Sequence, residues 1–194
     1  ELLIRPGTYV GQLKMEEIDG ASATNTITWR GTSNTNTTIS FVPSGAQYAV
    51  IDLNGADYVK FTNLNIHCNI TNWNYAKNFR LYNNADHITI DSCIIQQNDN
   101  TYNQATGIAV SNSPTTITSG QRCHDLVITN NTIKGMDFGV GYQGQNTTTL
   151  GNKLLIENNT FSKIDARAIS VYYADSVTIK SNTLHTQPKR ITNS

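Results

Sequence analysis

Charge is scarce in this sequence. Only 14% of its 194 residues are Asp, Glu, Lys or Arg, against about 25% in an average globular domain. The formal net charge is zero and the pI is about 7.1, so the basic stripe of a nucleic-acid-binding surface is missing. No apolar run is long enough for a membrane-spanning helix. There are three cysteines, Cys68, Cys93 and Cys123. An odd count with no Cys-x-x-Cys defines no disulfide framework. Buried free thiols packing as small apolar groups are expected instead. His67, His87, His124 and His185 have no metal-ligand spacing and read as turn residues in solvent. No signal peptide is visible. The chain opens mid-strand at Leu2-Leu3-Ile4 and turns polar after Leu184, which reads as a segment of a larger protein.

Polarity comes instead from amides and hydroxyls, in tracts such as Thr35-Asn36-Thr37-Thr38, Asn130-Asn131-Thr132 and Asn158-Asn159-Thr160. Thr favours strands and Asn favours turns, so an all-β chain with many tight turns is expected.

A repeat runs through the chain. Val59-Lys60-Phe61, Ile88-Thr89-Ile90, Leu126-Val127-Ile128, Leu154-Leu155-Ile156 and Val177-Thr178-Ile179 each lead to a further apolar residue: Ile66, Ile95, Ile133, Phe161 or Leu184. The third residues of these triplets are 29, 38, 28 and 23 positions apart. Such spacings are too short for helical crossovers and fit a coil wound once per repeat. A second triplet precedes each: Ile51-Asp52-Leu53, Phe79-Arg80-Leu81, Ile108-Ala109-Val110, Val140-Gly141-Tyr142 and Ile169-Ser170-Val171. Period-two alternation puts the outer residues of each triplet inside and the middle one outside. Each coil then carries two or three short strands.

Two residues past the first triplets sit Asn63, Ser92, Asn130, Asn158 and Ser181, followed by Leu64, Cys93, Asn131, Asn159 and Asn182. Asn tolerates the left-handed backbone of a sharp turn and can bond along a stack. Leu64 and Cys93 interrupt this ladder, so the early coils are expected to turn differently.

The phrases Leu126-Val-Ile-Thr-Asn-Asn-Thr-Ile133 and Leu154-Leu-Ile-Glu-Asn-Asn-Thr-Phe161 resemble the repeat of pectin-lyase-like proteins. Ile4-Arg-Pro-Gly-Thr-Tyr9 followed by Ile27-Thr-Trp-Arg-Gly31 resembles the first coils of that superfamily. The resemblance implies an all-β, right-handed parallel β-helix (a β-solenoid) of about six coils, as one domain over residues 1–194. That fold hosts polysaccharide lyases, glycoside hydrolases, tailspikes, adhesins and non-catalytic surface modules. The Thr/Asn-rich style resembles large secreted bacterial surface proteins, which implies a secreted or cell-surface location.

Stacking of the second triplets makes Asp52 and Arg80 neighbours on adjacent coils, a pair that could hold a uronate with Arg as base. The rest of that outward column is Ala109, Gly141 and Ser170, small and neutral, as suits a ligand close to the backbone or none. Asp137 and Asp165 precede second triplets of neighbouring coils, with Arg167, Tyr172 and Tyr173 nearby. Two stacked carboxylates could serve a glycosidase or hold Ca²⁺ with backbone carbonyls, the one cofactor in view; no other metal is expected. The polar insertions at 69–78, 96–105, 111–122 and 143–152 carry Trp73, Tyr75 and Tyr102, whose rings could stack on sugars. Outward Val127 and Leu155 form an apolar pair for a loop to cover. Gly-His-Gly, Arg-x-Lys, Arg-x-x-Pro-x-x-Arg and Trp-x-Asp-His, which mark enzymes of the superfamily, are absent from the sequence. The expected function is therefore a structural, adhesive or carbohydrate-binding module, with a polysaccharide lyase or glycoside hydrolase as the alternative. Its expected partner is a polysaccharide or cell-surface glycan, beside neighbouring domains of the same chain.

Overall fold

The computed structural model describes residues 1–70, 75–98 and 104–185. These form a parallel β-solenoid of about six turns, with no helix among the described residues. The first coil is β1 (Leu2–Ile4), β2 (Gly7–Val10) and β3 (Leu13–Glu16); the second is β4 (Ile27–Gly31), β5 (Thr37–Phe41) and β6 (Ala49–Asn54). Next come β7 (Val59–Thr62), β8 (Asn65–Cys68) and β9 (Lys77–Tyr82), then β10 (Thr89–Asp91), β11 (Ile94–Gln97) and β12 (Thr106–Val110). The later coils are β13 (Leu126–Thr129) with β14 (Thr132–Gln143), β15 (Gly151–Glu157) with β16 (Thr160–Tyr172), and β17 (Ala174–Lys180) with β18 (Thr183–Leu184).

Strands stack in parallel, each on its counterpart one coil away. The first face is the seven-stranded sheet β1-β4-β7-β10-β13-β15-β17. The second sheet, β2-β5-β8-β11-β14-β12-β9-β6-β3, folds at β14. The start of β14 pairs with β11 and its end with β12, so this one sheet supplies a second and a third face. A full coil therefore carries three strands, two of them fused in the later coils.

The registers place like residues on like. Phe61, Ile90, Ile128, Ile156 and Ile179 pair in succession along the first face. Ile51, Phe79, Ile108, Val140 and Ile169 do so along the third. These inward columns are the core, and all but the last coil's members are buried. The columns end on Val177, Ile179 and Leu184, which are exposed.

One turn repeats without variation. Asn63, Ser92, Asn130, Asn158 and Ser181 have φ of 54°, 54°, 57°, 56° and 55°, the left-handed region that sharp reversals need. The early coils thus turn as the later ones do, contrary to the expectation drawn from Leu64 and Cys93. Those two residues change what fills the corner, not its backbone: both are fully buried apolar plugs. From Asn131 onward the corner is polar. Asn131 Oδ1 accepts the Cys93 N–H at 2.9 Å, and Asn182 Oδ1 accepts the Asn159 N–H at 2.9 Å. A second column, Tyr58, His87, Asp125, Lys153 and Ser176, is also left-handed, with φ of 56°, 56°, 51°, 59° and 55°. Here side chains unsuited to that region are held by the coil itself. Tyr58 stacks on His87 with centroids 4.2 Å apart, and His87 Nδ1 lies 3.0 Å from Asp125 Oδ2.

Candidate functional site

Four groups bear on function: the Asp52–Arg80 pair, the Asp137–Asp165 corner, the tyrosines and the three thiols.

Asp52 and Arg80 face each other across β6 and β9 in the expected register. Arg80 Nη1 lies 3.8 Å from Asp52 Oδ1, with side chains 10% and 13% exposed. This is no open groove. Arg80 Nη2 donates to the Asn112 carbonyl at 2.7 Å, and its guanidinium lies 3.9 Å over the Tyr82 ring. Tyr82 donates to Asp52 Oδ2 at 3.4 Å. Asp52 Oδ1 and Arg80 Nε have no hydrogen-bond partner. Burial raises the Asp52 pKa, against the pull of Arg80. The pair is covered by the chain itself, through residues 111–122.

The small neutral column has the same cause. Ile117 of that segment packs with Ala109 and Phe138, and a Cβ on Gly141 would lie 3.0 Å from Ile117 Cγ2. Ala109 and Gly141 are small because a loop of the chain sits on them.

Asp137 and Asp165 lie on neighbouring strands, β14 and β16, where the second face turns into the third. The register shifts between Met136 and Phe138, so one carboxylate meets an irregular stretch of its neighbour. Asp137 Oδ2 accepts the Gln104 N–H at 2.8 Å, and Asp165 is exposed. Arg167, also exposed, stands 5.8 Å over the Phe138 ring. No group of three or more His, Cys, Asp or Glu side chains forms a cation cage among the described residues.

Tyr172 and Tyr173 are consecutive and exposed, 48% and 43%. Tyr172 ends β16 in register with Gln143, and Tyr173 turns the chain at φ 52°. Tyr75 is half-buried with φ 74°. Trp73 and Tyr102 lie outside the described residues. Val127 and Leu155 are paired and half-buried. Cys68, Cys93 and Cys123 are free and buried, as expected.

Two features carry no sequence signal. Lys77 is fully buried although nothing around it in the chain marks it as inward. Its partner carbonyls, Tyr75 and Pro114, come from different insertions. A cavity of about 500 Å³ opens at the first coil, lined by Leu2, Tyr9, Val10, Trp29 and Ile39 among others. Only the stacking of β1 on β4 brings Leu2 to Trp29.

No family model, no curated protein and no solved structure matches this chain.

Proposed function

We propose that this chain is a β-solenoid module of a secreted or cell-surface protein that binds carbohydrate. The observation that carries the reading is the pair Tyr172 and Tyr173, two exposed rings on consecutive residues at the end of a long strand. Aromatic rings offer apolar faces to sugar rings, and Arg167 on the same strand supplies an exposed cation for an acidic sugar. Asn and Thr dominate the surrounding turns, giving hydroxyl and amide partners. The resemblance of the repeat to pectin-lyase-like proteins supports the same reading, since many of those act on polysaccharides or display themselves at surfaces.

The test is retention on a panel of immobilised neutral and acidic polysaccharides, with and without Ca²⁺. Ca²⁺ belongs in the panel because Asp137, Asp165 and nearby carbonyls are oxygen donors. Retention of one polymer, lost in Tyr172→Ala or Tyr173→Ala, supports binding. Retention that survives both substitutions moves the site elsewhere, and no retention removes the reading.

A second reading is depolymerisation by a polysaccharide lyase or glycoside hydrolase, centred on Asp137, Asp165 and Arg167. It rests on the juxtaposition of the two carboxylates on neighbouring strands at the register shift. Shortening of one polymer, abolished in Asp137→Ala or Asp165→Ala, would establish it. Asp52 and Arg80 are the weaker centre, since both side chains are largely covered.

A further inference from the structure

Residues 111–122 cross the outside of the third face. The Ser111 N–H donates to the Leu81 carbonyl at one end, and the Gln121 N–H to the Gln143 carbonyl at the other. Between these ends the segment ties itself together, with Ser111 Oγ donating to Thr116 O at 2.8 Å and Asn112 N to Ser119 O at 3.2 Å. Ile117, 5% exposed, is its apolar foot on Ala109 and Phe138.

Two cations from β9 reach this segment from below. Arg80 Nη2 donates to Asn112 O and Lys77 Nζ to Pro114 O, each at 2.7 Å. The second Lys77 bond goes to Tyr75 O at 2.9 Å. Lys77 has no exposed surface at all, and none of the ion pairs among the described residues includes it. Among the described residues its Nζ donates only to these two carbonyls, and an ammonium buried in this way prefers water. The charged and titratable groups facing it are few. Arg80, on its own strand, opposes the charge; Asp52 on β6 favours it, and Cys68 on β8, held as a neutral thiol by burial, adds no charge. Thr106 pairs with it from β12, and the crossing segment offers it the Pro114 carbonyl.

We propose that residues 111–122 are a strap latched over the third face by Lys77, and that protonation of Lys77 releases it. Opening lets the ammonium reach water and uncovers the apolar strip formed by Ala109, Phe138 and Gly141. Burial first, and Arg80 second, push the Lys77 pKa down from 10.5 to about 7 with the strap closed; in the open state the amine is solvated and regains its ordinary value. Below pH 7 both states carry the proton, and the opening equilibrium does not depend on pH. Between about pH 7 and 10 the open state holds one proton more, so each unit of rise favours the closed strap about tenfold. Acid therefore releases the strap and mild alkali fastens it.

The experiment is amide hydrogen exchange of the whole chain from pH 6 to 9, with rates at Asn112 and Gln121 corrected for intrinsic exchange. Protection is expected to be flat from pH 6 to 7 and to rise about tenfold per unit from 7 to 9. β13 amides should be better protected throughout, which shows that the opening is local. In Lys77→Met the slope should vanish. A slope that persists in Lys77→Met, pH-independent protection in the unmodified chain, or strap and β13 amides opening together would each overturn the proposal. If Lys77→Met does not fold, direct NMR titration of the Lys77 amine in the unmodified chain decides. A midpoint near 7 sustains the latch, and one near 10.5 removes it.

Discussion

Asn159 holds Asn131 twice: its Oδ1 accepts both the backbone N–H and the side-chain Nδ2 of Asn131, each at 3.0 Å. Asn159 Nδ2 in turn donates to the carbonyls of Ile128 and Glu157. Asn159 Nδ2 also donates to Asn182 Oδ1 at 3.0 Å, so one amide joins three successive coils of the stack. Asn159→Ala leaves the Asn131 N–H buried without its acceptor, a loss of about 1–3 kcal/mol. Chemical denaturation measures it. A change below about 0.5 kcal/mol, typical of an unimportant surface site, would show that the ladder is dispensable.

Ile128 and Ile156 are adjacent rungs of the first-face column, both fully buried. Either one replaced by Ala should lose about 2–5 kcal/mol through lost burial and the cavity left behind. Denaturant midpoints at unchanged m-value would record it. Thr178→Ala, on the exposed outward column of the same sheet, should be near neutral. Equal effects at inward and outward positions would contradict the alternation on which the coil is built.

Gly139 lies where the backbone of the next coil comes close. A Cβ there would strike the Ala168 carbonyl oxygen and lie 2.8 Å from the Phe161 ring. A backbone oxygen cannot step aside as a flexible side chain can, so Gly139→Ala should cost about 1–3 kcal/mol by overpacking. At Gly141 the neighbour is Ile117 of the strap. Gly141→Val should lift Ile117 and raise strap exchange while leaving the thermal midpoint less affected than Gly139→Ala. The reverse ranking would mean that the strap is part of the cooperative core.

The three thiols should be silent in the native protein. Burial raises all three pKa values, Cys93 to about 12 and Cys68 and Cys123 clearly upward. The nucleophile is the thiolate, so a thiol reagent at pH 8 should label none of them natively and all three in denaturant. Native labelling of one cysteine within minutes would place it outside the core.

Much of the coil was legible from residue order. The Thr89, Val127, Leu155 column and the Asp52, Arg80, Ala109, Gly141, Ser170 column both stand in the registers read from the triplets. They were readable because period-two alternation and a once-per-coil apolar triplet are local patterns. The turn at Asn130 and Asn158 was readable for the same reason, since Asn is a residue that accepts a left-handed backbone. The early turns at Asn63 and Ser92 take the same left-handed form although Leu64 and Cys93, not Asn, follow them. Backbone reversal is decided by the residue at positive φ, and its neighbour decides only what the corner contains.

Sequence by itself determined the parallel stack, its registers, the inward columns and the fate of the cysteines, because each follows from alternation and from residue size and polarity repeated along the chain. The cover of Asp52 and Arg80, the seat of Ile117 on Gly141, and the burial of Lys77 were decided only by the tertiary structure. The reason is physical: an insertion has no period of its own. Where residues 111–122 lie depends on which surface lets Ile117 leave water and which donors await its carbonyls, and those donors, Lys77 and Arg80, come from a strand more than 30 positions away in the chain.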